Sequence, residues 1–274
     1  MNKKLIIVLL ILVFTANIFA QVTISPTSLF IDSKRRFETL LIMNTSATAQ
    51  EVKLRWEFGY PITDENGNMT MTYGDTIPGQ EHSAAGWIRG FPKSFILEAG
   101  ARQTIRITAK APRGLDSGTY WTRMITTSSA ISPSIGDTQP GGITAQINLQ
   151  FNQITSVYYK HGELDCGIEI TDVRPVVSDE SVRIIAGYEK LGNSPFLGTM
   201  AVKVYDVLGD IVKNERIYIS IFNDGWHRID FDATDLPMGS YDYEISFFSG
   251  RADVPDSDII PIETVTAKGS FTKL

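Results

Sequence analysis

An all-β fold, two immunoglobulin-like β-sandwich domains following a cleaved signal peptide, is what this 274-residue chain predicts. Three observations carry that prediction. Short apolar–polar alternations recur along the chain, turn signals separate them, and no stretch after residue 20 holds a convincing helical period. Without crossover helices a parallel α/β architecture is excluded.

The N-terminus reads Lys3-Lys4, then an apolar run over 5–14, then a small and polar stretch ending Phe19-Ala20-Gln21. That order is a charged region, a short hydrophobic region and a small residue at the cut, as in a secretory signal peptide. The run is about half the ~20 apolar residues that a membrane helix needs, so stable membrane insertion is not expected. Cleavage after Ala20 is expected, which makes the protein periplasmic, or alternatively secreted or cell-surface. It removes two of the 25 basic residues and none of the 31 acidic ones, taking the net charge from −6 to −8. A mildly acidic exported chain has no electrostatic footprint for nucleic acid.

Strand patterns in the first half fall at 22–24, 37–43, 51–58, 69–73, 94–97, 104–109, 119–126 and 143–159. Between them stand Asn44-Thr45-Ser46, Asn66-Gly67, Glu98-Ala99-Gly100 and Arg113-Gly114, all turn formers. The polar segment 160–165 reads as a linker. The pattern then restarts at 167–173, 182–189, 199–205, 216–221, 226–231, 241–248 and 264–272. The expected domains are therefore 21–159 and 166–274. Cys166 is the single cysteine, so no intrachain disulfide can form, and it reads as a small buried apolar residue.

The most regular alternation is Ile143, Ala145, Ile147, Leu149 and Phe151, with Thr144, Gln146, Asn148 and Gln150 between them. Successive strand residues point to opposite faces, so one face is apolar and the other polar. The run follows the turn-rich segment 132–142. Such a strand is either an ordinary sandwich strand or one held out for a partner.

Signs of catalysis are missing. His82, His161 and His227 lack metal-site spacing, and neither a nucleophile elbow nor a phosphate-binding glycine loop occurs. The stretch 64–75 imitates a calcium loop but has Met69 at its sixth position and Asp75 at its twelfth, where Gly and Glu are needed. It reads as a hairpin turn at Asn66-Gly67. Asp253, Asp256 and Asp258 beside Arg251 read as a solvated charged loop. No enzyme, metal or cofactor is expected. Trp87, Trp121 and Trp226 read as core, with carbohydrate binding as the competing reading.

Taken in order, the first half resembles the N-terminal domain of periplasmic pilus-assembly chaperones of the chaperone–usher pathway. The residues that carry this are the opening strand 22–32, Leu41-Ile42-Met43-Asn44-Thr45-Ser46, the stretch 92–107 with Phe95, Leu97, Gly100, Gln103 and Arg106, and Gly118-Thr119-Tyr120-Trp121. The resemblance covers most of 22–160. It implies two immunoglobulin-like domains and a strand that completes an unfinished pilus-type subunit by strand addition, here Ile143, Ala145, Ile147, Leu149 and Phe151. An outer-membrane usher and a self-capping homodimer are the further partners it implies. Members of the family hold the subunit's terminal carboxylate with an Arg and a Lys. Ser28 stands at the Arg position, and the Lys position falls on Ile154, Thr155 or Ser156, which leaves Arg55, Arg123 and Lys160 as alternative anchors, or a client not held by its carboxylate. A structural or adhesive secreted protein with ordinary strands is the competing reading. The second half, through 204–210 and 231–245, is also similar to small sandwich tails that sort proteins for type IX secretion.

Overall fold

The computed structural model describes residues 22–131 and 149–274. The expected signal peptide and Ile143, Ala145 and Ile147 lie outside them. Strands are the dominant element of the described chain.

In the first sandwich one sheet contains β1 (Val22–Ser25), β3 (Phe37–Asn44), β9 (Arg102–Ala109) and β7 (Ile88–Phe91), in that order. The facing sheet runs β2 (Ser28–Asp32), β11 (Gln150–His161), β10 (Gly118–Ala130), β4 (Gln50–Glu57) and β8 (Ser94–Leu97). Their inner faces bury Val22, Ile31, Ile42, Val52, Ile105 and Val157. The opening segment divides at Pro26: β1 pairs antiparallel with β3, and β2 pairs parallel with β11. Asn44 explains its turn. Fully buried, it donates from Nδ2 to the Thr48 and Leu97 carbonyls, both at 2.8 Å, and accepts from the Ser46 amide at 2.9 Å.

Strands β5 (Gly59–Thr63) and β6 (Met69–Tyr73) form a separate hairpin. At its tip Asp64 Oδ1 accepts the amides of Asn66 and Asn68, each at 2.9 Å, and Gly67 takes φ +70°. Only glycine adopts that backbone freely, so the hairpin reading of this stretch holds.

The second sandwich places β12 (Gly167–Val177), β13 (Ser181–Leu191) and β16 (Gly225–Asp232) in one sheet. Its other sheet runs β15 (Ile211–Ile221), β14 (Phe196–Tyr205), β17 (Gly239–Ser249) and β18 (Val265–Lys273). Val182, Ile184, Phe196, Val202, Ile245 and Phe247 fill its core. Cys166 packs against this core, and burial pushes its thiol up to about 11, so it serves as apolar filling. Both sandwiches use one corner device. Tyr120 donates its hydroxyl to the Asp116 carbonyl at 3.0 Å, and Tyr241 to the Pro237 carbonyl at 2.7 Å. Such corners pin the start of a strand to the preceding turn, which accounts for the repeated Gly-x-Tyr.

A third cluster joins the sandwiches. Phe30, Phe58, Tyr60, Trp121 and Tyr158 of the first pack against Leu197, Phe222 and Val254 of the second. Trp121 and Phe222 have ring centroids 4.8 Å apart, and Trp121 is buried, so its role is packing. Polar contacts finish the junction: Thr119 Oγ1 donates to Ser194 Oγ at 2.8 Å, and Lys160 Nζ to the Asp258 carbonyl at 2.6 Å. The β5–β6 hairpin reaches across, where Thr63 Oγ1 accepts the Trp226 amide at 2.9 Å and Asn68 Oδ1 accepts from Arg228 at 2.6 Å.

Several expectations change, among them strand β7, which the alternation does not mark. Strand β2 goes unseen in the alternation because Leu29 and Ile31 enter the first core while Phe30 enters the junction, burying both faces. Strand β5 is hidden by Gly59 and Pro61, which read as turn residues. Lys160 and His161, expected in the linker, are the last residues of β11. Asp258, expected to be solvated, is buried and ion-paired with Arg35 and Lys160.

Candidate functional site: the open half of a strand and the cleft beside it

Strand β11 is hydrogen-bonded to β10 along its length, from Gln150 opposite Ser129 to His161 opposite Gly118. On its other edge β2 pairs only with Ser156 through Lys160. From Gln150 to Thr155 that edge has no strand partner among the described residues. The Gln153 side chain reaches back from it to the Val22 carbonyl at 2.6 Å.

Alternation along β11 explains what emerges there. Val157 and Tyr159 face the first core. Phe151, an even number of residues away, continues the same face to the end of the sheet, where it is half-buried. Leu149, the next residue in that series, is 57% exposed. The core-facing side of the strand thus runs out of the sandwich, with Gln153 and Thr155 between its inner and outer apolar residues.

Where the second pairing begins, four residues stand in a row across the sheet: Ser28 on β2, Ser156 on β11, Arg123 on β10 and Glu57 on β4. The structure therefore brings Ser28 and Ser156 side by side, two serines with no charge of their own. A charge stands one strand over. Arg123 donates from Nε to the Gly59 carbonyl at 2.9 Å and from Nη1 to Ser156 Oγ, and its guanidinium lies 5.2 Å from the Phe222 ring centroid. Only 5% exposed, it forms no ion pair with an acidic side chain among the described residues. Leaving a guanidinium buried without a counter-charge is costly, so the position favours an anion.

The two other basic candidates are engaged elsewhere. Arg55 pairs with Glu57 on the exposed face. Lys160 is held by Asp258 and lies 5.0 Å from the Phe30 ring centroid; burial lowers its pKa.

Arg123, Ser156 and Ile154 line a cleft of about 650 Å³ between the sandwiches. Met69 and Met71 of the hairpin roof it, and β15 and β16 of the second sandwich form its far side. Ser28 stands beside this cleft without lining it. Arg216, Arg228 and Arg251 join Arg123 there against Glu215 and Asp230, a positive balance in a chain of net charge −6. On the far side His227 is buried in a stack with Tyr188, at 5.4 Å between centroids, and burial lowers its pKa to about 4. It is neutral at pH 7. Among the described residues no group of three His, Cys, Asp or Glu side chains is placed to hold a metal ion. No described helix is long and apolar enough to cross a membrane.

No family model matches the chain, and no curated protein matches it in sequence. Similar solved structures exist. One is the CsuC–CsuE chaperone–tip adhesion subunit pre-assembly complex from archaic chaperone–usher Csu pili of Acinetobacter baumannii, at 11% identity over 91% of this chain and 98% of that chain, with a TM-score of 0.46. Another is the YadV chaperone, at 13% identity over 92% and 100%, with a TM-score of 0.45. A third is the Salmonella enterica SafA pilin in complex with the SafB chaperone, at 12% identity over 91% and 96%, with a TM-score of 0.43. The chain is thus similar, across both sandwiches, to chaperones of the pilus-assembly kind.

Proposed function

We propose that the protein is an exported, non-enzymatic chaperone that binds a secreted pilus-type β subunit by lending it a strand. The single observation supporting this reading is the one-sided pairing of β11, whose open edge ends at Ser156, in register with the buried guanidinium of Arg123. The lent segment is 143–151. Its backbone supplies ladder hydrogen bonds to a subunit that lacks a strand, and Ile143, Ala145, Ile147, Leu149 and Phe151 supply apolar knobs. Each large knob buried is worth about 1.5–3 kcal/mol. Arg123, hydrogen-bonded to Ser156 and next in the row to Ser28, takes the subunit's terminal carboxylate with a charge-assisted bond. Residues 1–20 direct export and are removed. Hand-over to an outer-membrane usher and self-capping as a homodimer belong to the same reading.

Co-purification of the full chain from cell envelopes tests it. A small secreted β protein should accompany the chain, and Ile147→Pro or Leu149→Pro should release it while the thermal melt stays unchanged. If these changes unfold the first sandwich instead, the strand is ordinary core and the reading fails.

A further inference from the structure

We infer that the second sandwich carries its own strand-pairing site: the open edge of β15 accepts the last residues of an extended peptide whose free carboxylate reaches Arg123. This rests on the carboxylate role proposed for Arg123 and extends the client contact to a sandwich that the lent strand does not reach.

Strand β15 is outermost in its sheet and pairs only with β14. The cleft is walled by six consecutive residues of it, Glu215 to Ser220. A strand showing its face to a cavity contributes alternate residues, because successive side chains point to opposite faces. Consecutive residues mean that the cleft looks along the strand's edge. The same holds for β16, outermost in the other sheet, which contributes His227 to Asp230 without a gap. The cleft is thus flanked by two open strand edges.

The turn between β14 and β15 shows which backbone groups face outward. The Asp206 amide donates across it to the Asp210 carbonyl at 3.0 Å, so Asp206 points its backbone at β15. In an antiparallel pair the N–H and C=O of one residue point the same way, and this alternates along the strand. Val202, Met200 and Gly198 therefore face their partners Glu215, Ile217 and Ile219, while Arg216 and Tyr218 turn their backbone groups out, with no backbone partner on that edge among the described residues. The register shift between β14 and β15 lies at Val204/Tyr205, beyond these residues, so no bulge blunts the edge here. An edge this regular invites another strand unless something occupies it.

The cleft's chemistry selects the occupant. Arg123 is a buried cation that forms no ion pair, its neighbour Glu57 being held by Arg55, and arginines outnumber acids around it. A peptide end supplies the missing anion and unpaired backbone groups in one piece. Met69, Met71 and Ile154 offer its side chains an apolar, adaptable wall. An internal peptide segment would satisfy the edge but leave Arg123 unpaired.

The probe is an eight-residue alternating Thr/Val peptide carrying an N-terminal dye, prepared as free acid and as terminal amide, and read by fluorescence anisotropy on the mature chain. The acid should bind at least about tenfold more tightly than the amide, and Arg123→Gln should erase that difference. Tyr218→Pro removes one outward N–H without touching the β14 ladder, and should weaken the acid about tenfold. On the unaltered chain, exchange of the Arg216 and Tyr218 amides should slow when the acid is added; unchanged exchange overturns the proposal even if Tyr218→Pro proves unfolded. Undiminished affinity in a folded Tyr218→Pro chain overturns it as well. The two readings fail separately. Client capture lost on Leu149→Asp with Arg216 and Tyr218 exchange unmoved keeps the lent strand and removes the β15 site, whereas the reverse pattern keeps the β15 site alone.

Discussion

From Ser156 to Lys160, β11 is paired on both edges, whereas from Gln150 to Thr155 it is paired with β10 alone. The two halves share one backbone and one alternation, and Val157 and Phe151 point to the same face. They differ in what covers them. The paired half has β2 beside it and the domain junction over Tyr158, and it is buried. The open half has Leu149 largely exposed at its end and Ile154 at 44%. Pairing stops at Ser156, beside its contact with Arg123, and burial at the adjacent Thr155, which is 1% exposed. Within a single strand, then, stability and recognition occupy successive segments, and changes in each should have separable consequences.

The sharpest break is Leu149→Asp with Phe151→Asp. With two apolar knobs removed, each worth about 1.5–3 kcal/mol when buried by a client, capture should fall roughly 10²–10⁴-fold while the melting temperature moves little. Pull-down with the accompanying subunit, alongside a thermal melt, reads both.

Acidification tests the wall opposite the strand. The folded chain holds His227 at about 4, below its ordinary 6.5, so between those values the unfolded chain takes up a proton that the folded chain excludes. Stability is complete above pH 6.5, declines as the pH falls towards 4, and loses about 3 kcal/mol from this residue over that window. Burial shifts His82 in the same direction. A His227→Phe chain should show a flatter denaturant midpoint against pH, and an identical slope would disprove the assignment.

In the paired half, Val157→Ala removes a fully buried side chain and should cost roughly 2 kcal/mol in urea unfolding, with client capture by the folded fraction unchanged. At the boundary, Arg123→Gln should weaken capture about tenfold and leave the melt unchanged or raised, because it removes a buried charge that lacks a counter-ion. The smallest effect belongs to Arg55→Ala, which loses an exposed pair worth about 0–1 kcal/mol and should alter neither measurement.

Most of the strands were legible because one face of each is buried and the other wet. The stretch 104–109 alternates visibly, and Ile105 and Ile107 are core. Where both faces are covered the alternation disappears, as at Leu29-Phe30-Ile31, and β10 runs on to Ala130, past its apparent end at 126, because 127–130 are small and mostly polar. Turn chemistry was equally legible at Asn44 and Gly67, since a local hydrogen bond or a positive φ leaves its mark on residue type. The site was legible only in part. Arg123 was one of three basic candidates, and nothing local separates it from Arg55 or Lys160. What distinguishes it is its register across the sheet.

The two-sandwich, all-β architecture follows from patterning alone, because period-two alternation and turn residues are local properties. The alternation through Leu149 and Phe151, and the lack of a charged residue at Ser28 and Ser156, are equally properties of the sequence. Three things were decided only by the folded chain: where β2 stops covering β11, which arginine the junction buries beside Ser156, and that β15 turns its edge towards the same cleft. Each depends on contacts between residues far apart in the chain, such as Ser28 with Ser156 or Met200 with Ile217. No window of neighbouring residues encodes such contacts.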